Sequence, residues 1–166
     1  MPRCFIAVDV PGNQIQSIQA PGVRNVASYH ITLKFLGDIT RSELERIKQR
    51  LQAVRFHSFS IQTTSFGAFP NARRPNILWI GVESQELLGL QQRIDALLKD
   101  DFMMEKDYVP HITIARARSH EGREAIKDFL KQVEHKSFSW RVKNYSLYSS
   151  ELTAEGPKYK EEKRYS

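Results

Sequence analysis

A short motif occurs twice in the chain, and this repeat constrains the fold more than any other feature of the sequence. His30-Ile31-Thr32-Leu33 returns as His111-Ile112-Thr113-Ile114 about 80 residues later. The surrounding sequence repeats at nearly the same offset, because Ser58-Phe59-Ser60 returns as Ser137-Phe138-Ser139. Five histidines and six threonines among 166 residues would give less than one His-x-Thr triplet by chance. We therefore interpret the chain as two halves that share one plan.

Hydrophobic periodicity gives each half the order strand, helix, strand, helix, strand. The predicted strands lie at 3–9, 30–36, 59–69, 77–82, 111–115, 137–148 and 157–165, and the predicted helices lie at 13–19, 40–54, 84–98 and 121–133. We predict a single domain over residues 1–166, made of two internal repeats at about 3–70 and 75–150 and a C-terminal strand. Two halves of one plan can pack about a pseudo-twofold axis, which would bring the two motif strands face to face.

Composition narrows the class of protein without naming a function. The chain carries 25 Lys and Arg against 19 Asp and Glu, and its net charge of +6 favours phosphate-bearing partners. Its single cysteine, Cys4, excludes an internal disulfide and a cysteine-based metal site. The apolar runs are far shorter than the roughly 20 residues that span a bilayer. Because the N-terminal sequence also lacks a signal-peptide pattern, we expect a cytoplasmic protein with no membrane contact.

The motif residues alternate along their strands, and the alternation sets which side chains share a face. Residues i and i+2 of a strand point to the same side. His30 and Thr32 therefore face one way, and His111 and Thr113 do the same on the second strand. Packed face to face, the two strands would line a shared cleft with two imidazoles and two hydroxyls.

Two histidines and two hydroxyls suit phosphodiester transfer at a strained cyclic phosphate. An imidazole pKa near 6.5 allows one ring to be neutral while another is protonated. The neutral ring can accept a proton from the attacking water, and the protonated ring can donate a proton to the leaving ribose oxygen. Threonine hydroxyls can donate hydrogen bonds to the nonbridging phosphate oxygens. Arg116 offers a forked guanidinium for the same oxygens. Arg116 lies five residues after His111, so on a regular strand it would point to the opposite face. The strand must therefore end or bulge before Arg116 if this side chain is to reach the cleft.

These residues and their flanking sequences resemble the 2H phosphoesterase superfamily. More closely, the chain resembles the bacterial and archaeal RNA 2′,3′-cyclic phosphodiesterases, also called 2′-5′ RNA ligases or LigT-like proteins. The resemblance covers nearly the whole chain and depends most on the segments 5–9, 30–37, 67–70, 79–82 and 110–116. The segment 10–29 is shorter than is usual in the family, so any contact that it makes with a nucleobase is not implied.

The resemblance implies an α+β, bilobed LigT-like fold, in which two pseudo-twofold-related antiparallel-sheet lobes with helices on the outside enclose the active site. It implies hydrolysis of a terminal RNA 2′,3′-cyclic phosphate to a 2′-phosphate, with no metal and no cofactor, and a reverse reaction that would join 2′-5′ linked RNA. It assigns His30 as the proton donor, His111 as the proton acceptor, and Thr32, Thr113 and Arg116 as phosphate-binding residues. RNA with a cyclic phosphate end is the implied partner, and a monomer is the implied state.

Other residues are weaker candidates for the site. Lys34 lies four residues after His30 and would share its face on a regular strand, so it is a second candidate for a phosphate contact. Two further groups of arginines are either polyanion contacts or solvated surface residues: Arg73, Arg74, Arg118 and Arg123. We expect the following aromatic residues to pack in the core rather than to stack on a base: Phe5, Phe35 and Trp79. The remaining histidines are expected at the surface: His57, His120 and His135.

Two alternative functions remain open on the sequence. A 2H phosphodiesterase could act on a different cyclic nucleotide or on a 2′-5′ linked substrate, because the same two histidines would serve. A noncatalytic RNA-binding module would bind in a salt-dependent way and would keep its affinity after replacement of both histidines by alanine. The chain contains no GxxxxGK[ST] motif, which agrees with ATP-independent chemistry.

Overall fold

The chain folds into nine strands and three helices, and the computed structural model describes all 166 residues. The strands are β1 (Arg3–Asp9), β2 (Val23–Asn25), β3 (His30–Asp38), β4 (Phe59–Phe69), β5 (Ile77–Glu83), β6 (His111–Ala117), β7 (Ser139–Val142), β8 (Tyr145–Thr153) and β9 (Gly156–Tyr165). The helices are α1 (Arg41–Arg50), α2 (Gln85–Leu97) and α3 (His120–Gln132), and short 3-10 helices lie at Gly12–Gln14 and Leu51–Ala53. No helix is both long and apolar enough to cross a membrane.

The strands form two antiparallel sheets, which gives the predicted α+β class with two sheet-based lobes. The first sheet has the order β3-β1-β8-β9, and we call it the His30 sheet. The second has the order β2-β6-β5-β4-β7, and we call it the His111 sheet. Each sheet takes strands from both halves of the sequence, because β8 pairs with β1 while β4 pairs with β5. The two internal repeats stay a prediction, and neither lobe is built from one half alone.

The buried residues form one large apolar cluster that joins the two sheets to the helices. Along β3 and β6 the buried side chains alternate with the partly exposed motif residues, and the buried ones are Ile31, Leu33, Ile112 and Ile114. Each motif strand therefore has a buried core face and a second face that carries its histidine, which we call the cleft face.

The predicted helix starts at residues 40 and 84 are confirmed by side-chain caps. Thr40 and Glu43 form a capping box, in which the Glu43 N–H donates to Thr40 Oγ1 at 3.1 Å and the Thr40 N–H donates to Glu43 Oε2 at 2.7 Å. Ser84 accepts from the Leu87 N–H at 3.1 Å at the start of α2. The caps satisfy N–H groups that have no partner within the helix, so they fix where each helix begins.

Two predicted elements are wrong. The helix predicted at 13–19 is only a single 3-10 turn, because the Asn25 side chain donates to the Ile18 carbonyl at 2.8 Å and accepts from the Ile18 N–H at 3.3 Å. The Ile18 N–H is thereby lost to the helix, where it would donate to the Gln14 carbonyl, and so short a helix is marginal without packing. The strand predicted at 137–148 is two strands, since β7 pairs with β4 in the His111 sheet whereas β8 pairs with β1 and β9 in the His30 sheet.

Candidate active site

The two His-x-Thr motifs lie on β3 and β6, which contact each other between the two sheets. All four motif side chains are partly exposed on the cleft faces, as the alternation predicts. The charges of His111 and Arg116 both act on the pKa of His30, so these groups lie close enough to interact electrostatically across the cleft. The structure thus brings together the two histidines that lie on separate strands and in separate sheets.

A β-bulge in β6 turns Arg116 toward the cleft. Thr113 pairs with Trp79 and Ala115 pairs with Leu78, which leaves Ile114 without a partner on β5. The extra residue reverses the alternation, so Ile114 and Ala115 are both buried and Arg116 is exposed. The bulge that the cleft position of Arg116 requires is therefore present.

A bulge at the equivalent place in β3 has the opposite consequence for Lys34. Leu33 has no partner on β1, because Thr32 pairs with Ala7 and Lys34 pairs with Ile6. Lys34 consequently points away from the cleft, forms a buried ion pair with Asp95 of α2, and donates to the Met103 carbonyl at 2.7 Å. The prediction that Lys34 shares the face of His30 is wrong, because parity counted from sequence does not include the bulge.

The same bulge brings Phe35 to the surface beside the motif. Phe35 pairs directly with Phe5 across the strands, their ring centroids are 6.3 Å apart, and the Phe35 side chain is 69% exposed. The expectation that Phe35 packs in the core is wrong. Phe5 is buried as expected, yet it belongs to a small separate cluster on the cleft face rather than to the main core.

His30 sits in an aromatic environment next to one carboxylate. Its ring lies 5.1 Å from that of Phe5 and 5.4 Å edge-on from that of Tyr159, and its cross-strand partner is Asp9. Burial lowers the pKa of His30 from 6.5 to about 4, Asp9 acts to raise it, and the charges of His111 and Arg116 lower it further. In the unliganded protein His30 is therefore neutral at pH 7.

His111 is held in one tautomer. Its Nδ1 lies 2.7 Å from the Val109 carbonyl, and because a carbonyl oxygen only accepts, the Nδ1 carries the proton. Phe69 packs edge-on against the ring at 4.9 Å between centroids. Burial lowers the pKa of His111, the bond to Val109 acts to raise it, and Arg116 lowers it. The free Nε2 of neutral His111 thus presents a lone pair.

Arg24 is a cleft residue that the sequence does not single out. It lies on β2, which no pattern predicts, and it pairs directly with Arg116 on β6. Neither guanidinium forms an ion pair with a carboxylate. A Cβ placed on Gly156 would lie 3.6 Å from the Arg24 guanidinium, so Arg24 reaches the β8–β9 hairpin of the opposite sheet. Two like charges side by side repel each other, and an anion between them would relieve the repulsion.

Two tyrosines position the motif strands. The Tyr148 hydroxyl donates to Asp9, which faces His30. The Tyr108 hydroxyl donates to the Thr32 carbonyl at 2.7 Å, so the segment that leads into His111 is tied to the strand that carries His30. Sequence reasoning missed these contacts because they join residues that are far apart in the chain.

The other histidines are divided between two environments. His57 and His120 are exposed, as expected. His135 is partly buried, bonds to the Thr63 hydroxyl at 2.8 Å and packs against Phe66, so the expectation of a solvated His135 is wrong. The structure contains no group of three or more His, Cys, Asp or Glu side chains that could hold a metal ion.

Comparisons with known proteins identify the family of the chain. The family model of the 2′-5′ RNA ligase superfamily matches residues 7–154. The RNA 2′,3′-cyclic phosphodiesterase of Archaeoglobus fulgidus is 34% identical over 96% of this chain and 97% of its own length. The enzyme of the same name from Thermotoga maritima is 33% identical over 95% of this chain and 91% of its own length.

Solved structures share the fold. Escherichia coli LigT in complex with 3′-AMP superposes with a TM-score of 0.78 at 22% identity, covering 99% of this chain and 98% of that one. A Thermus thermophilus protein, TT0787, gives the same TM-score at 22% identity, covering 98% of this chain and 96% of that one. The predicted LigT-like fold is confirmed. The chain therefore belongs to the 2′-5′ RNA ligase superfamily and is an enzyme of the 2H phosphoesterase type that its paired motifs indicate.

Proposed function

We propose that the chain hydrolyses a terminal 2′,3′-cyclic phosphate of RNA to a 2′-phosphate, with His30 and His111 as a general acid and a general base. The observation that carries the proposal is the convergence of two histidines from separate sheets on one cleft that also holds unpaired arginines. The relatives named RNA 2′,3′-cyclic phosphodiesterase support this choice of substrate.

His111 is the proposed base. Its Nδ1–H is engaged by the Val109 carbonyl, so its Nε2 is available to accept the proton of a water molecule that attacks phosphorus. Its lowered pKa keeps the ring neutral at pH 7, which is the protonation state that a base requires.

His30 is the proposed acid, and Asp9 distinguishes it from His111. An acid must be protonated, whereas the pKa of about 4 keeps His30 neutral in the empty cleft. A bound phosphate is an anion next to the imidazole, so it favours the imidazolium in the same direction as Asp9 does. We therefore propose that His30 takes up its proton together with the substrate and then delivers it to the leaving 3′ oxygen of the ribose.

Thr32, Thr113 and Arg116 are the proposed phosphate contacts. The hydroxyls of both threonines lie on the cleft faces beside the histidines, and Arg116 reaches the same region through the bulge in β6. Charge-assisted hydrogen bonds from a guanidinium stabilise the negative charge that the transition state redistributes. We propose that these groups supply the electrostatic stabilisation without a metal and that the enzyme acts without a cofactor, as a monomer.

Phe35 is a proposed contact for the nucleobase. Its exposed ring lies next to Phe5, which itself contacts His30, so a base attached to the reacting ribose can reach it. An exposed aromatic ring stacks on any base, which makes it a sequence-tolerant contact. With a 5′-hydroxyl in place of the attacking water, the same site would form a bond from that oxygen to phosphorus, break the bond to the 3′ oxygen and leave a 2′-5′ linkage, although abundant water favours hydrolysis.

The experiment is product mapping in the presence of EDTA. Purified protein is incubated with an RNA oligonucleotide that ends in a 2′,3′-cyclic phosphate, and the product is separated from 2′- and 3′-phosphate standards. We expect the 2′-phosphate at an undiminished rate. A cyclic end that persists would contradict the proposed substrate, and loss of activity on chelation would contradict the metal-independent mechanism.

A further inference from the structure

A polar groove lies beside the end of β6, on the margin of the His111 sheet. It encloses about 250 Å³ between the loop that joins β4 to β5 and helix α3. No hydrophobic residue lines it, and the lining residues are Arg73, Arg74, His120, Arg123, Glu124 and Lys127. We call this the arginine groove. It contains four permanent cations against one carboxylate, and these five groups sum to a charge of +3.

The guanidinium groups of the groove are not paired with any carboxylate of the protein. Glu124 is the single carboxylate, and it lies 3.4 Å from Lys127 and 4.0 Å from His120. Arg73, Arg74 and Arg123 form no ion pair, and Arg73 and Arg74 are exposed. Like charges held together without a counter-charge repel one another, so the fold gains no stability from this arrangement. A polyanion is the ligand that would stabilise it.

The loop that carries two of these arginines is held in place by hydrogen bonds. The Asn71 side chain accepts from the backbone N–H groups of Arg73 and Arg74, both at 3.0 Å. At the end of the loop the Asn76 N–H donates to the Phe69 carbonyl, and the Asn76 carbonyl accepts from the Ala117 N–H, each at 2.8 Å. A backbone fixed in this way presents both guanidiniums from a defined position, which lowers the entropic cost of binding.

The loop of the groove is tied to β6, the strand that carries Arg116 of the candidate active site. Ala117, which anchors the loop, is the residue after Arg116, and α3 begins three residues further on. A strand whose terminal phosphate contacts Arg116 can therefore place its preceding phosphates along the groove.

We propose that the arginine groove binds backbone phosphates of the RNA strand that leads to the cyclic end. The proposal rests on the proposed function for its choice of RNA. An acidic peptide fits the groove less well, because protein interfaces are anchored by apolar and aromatic side chains and no hydrophobic residue lines this groove. The enzyme is accordingly a polynucleotide phosphodiesterase that uses contacts beyond the terminal nucleotide.

The test compares two pairs of charge-removing substitutions. The groove variant is R73Q/R74Q. The control is R55Q/K143Q, which removes the same charge from two exposed residues that form no ion pair. Both control residues flank the start of β4, which is the end remote from the groove, and 11 residues of strand separate the two sites by about 33 Å.

Catalysis is measured on two substrates in 0.1 M monovalent salt. The first is a 12-nucleotide RNA that ends in a 2′,3′-cyclic phosphate, and the second is the mononucleotide 2′,3′-cyclic AMP. Each phosphate contact to a single strand contributes about 0.7 to the slope of log affinity against log salt concentration. At 0.1 M salt one contact therefore raises the affinity about fivefold relative to 1 M salt. We expect R73Q/R74Q to lower kcat/KM about 25-fold on the oligonucleotide and to leave kcat/KM on the mononucleotide unchanged. The control should leave kcat/KM unchanged on both substrates. An equal loss on both substrates, or none on the oligonucleotide, would overturn the proposal.

Binding is measured separately, so that the groove can fail or succeed independently of the chemistry. The same RNA with an ordinary 3′-hydroxyl is titrated by fluorescence anisotropy at several salt concentrations. We expect R73Q/R74Q to bind about 25-fold more weakly than the control, with a salt slope smaller by about 1.4. This result would support the groove even if the cyclic substrate were left intact, in which case only the proposed function fails. Equal binding by the two variants would contradict the groove whatever the activity.

Discussion

The buried ion pair between Lys34 and Asp95 links the two halves of the candidate site. The two side chains are 2% and 3% exposed. Lys34 also donates to the Met103 carbonyl at 2.7 Å, and Asp95 accepts from the Glu105 N–H at 2.8 Å. The pair therefore connects the strand that carries His30 to helix α2 and to the segment that leads into the second motif.

We predict that Lys34→Met destabilises the protein by about 3–5 kcal/mol, because it leaves the Asp95 carboxylate buried with one backbone donor and no counter-charge. The double variant K34M/D95L removes both charges. We expect it to be at least about 2 kcal/mol more stable than K34M, because a buried pair replaced by apolar residues of similar volume is often nearly neutral.

Urea unfolding at pH 7, followed by the fluorescence of the two tryptophans, gives these free energies. The control is Lys127→Met, which breaks a surface pair of 3.4 Å with Glu124, and the two side chains are 32% and 49% exposed. We expect this control to cost no more than about 1 kcal/mol. The reasoning would be refuted by a K34M cost equal to that of K127M, or by a double variant less stable than K34M.

Three further predictions concern the cleft and the fold. Phe35→Ala should raise KM for a cyclic-ended oligonucleotide roughly 5- to 150-fold, as expected for a stacking contact worth about 1–3 kcal/mol, while Phe35→Tyr restores it and neither changes stability. Lowering the pH from 7 to 4.5 should reduce the free energy of unfolding by about 2 kcal/mol through His30, because the unfolded ring binds a proton near pH 6.5 and the folded ring only near 4. In urea titrations at the two pH values, the His30→Gln variant should therefore lose about 2 kcal/mol less than the wild type. Gly122→Ala should destabilise by about 1–3 kcal/mol in the same assay, because the new Cβ would lie 2.0 Å from the Gly22 carbonyl oxygen.

Each of these predictions has an outcome that contradicts it. An unchanged KM in Phe35→Ala would show that the nucleobase does not stack on Phe35. Equal acid sensitivity in the wild type and His30→Gln would show that other groups dominate the pH dependence. A stabilising Gly122→Ala, which is the ordinary effect of alanine in a helix, would show that α3 can move away from Gly22.

The strands and helices that carry the motifs could be predicted because their signals are local. The alternation of buried and exposed residues in β3 and β6 follows from the sequence, and the caps at Thr40 and Ser84 fix two helix starts. The need for a bulge before Arg116 also followed from parity alone, and the bulge is present. The family and its fold were predicted from a resemblance that the repeated motif and its flanking segments carry.

The remaining parts of the site depend on contacts between distant residues. Nothing local marks the bulge in β3, so Lys34 and Phe35 were predicted on the wrong faces. Arg24 enters the cleft only because β2 pairs with β6, and β2 is too short for a periodic signal. The difference between the histidines comes from Asp9 and the Val109 carbonyl, and the sequence motifs themselves are symmetric.

The central claim is that His30 and His111 act together on one phosphate. The most direct test measures kcat/KM on 2′,3′-cyclic AMP for H30A, H111A and the double variant, with urea unfolding as a check that each folds. We expect each single variant to lose about 10²- to 10⁴-fold. The double variant should lose little more than the worse single variant, because partners in one proton-transfer step are not additive. Activity within tenfold of the wild type in either single variant would contradict the claim.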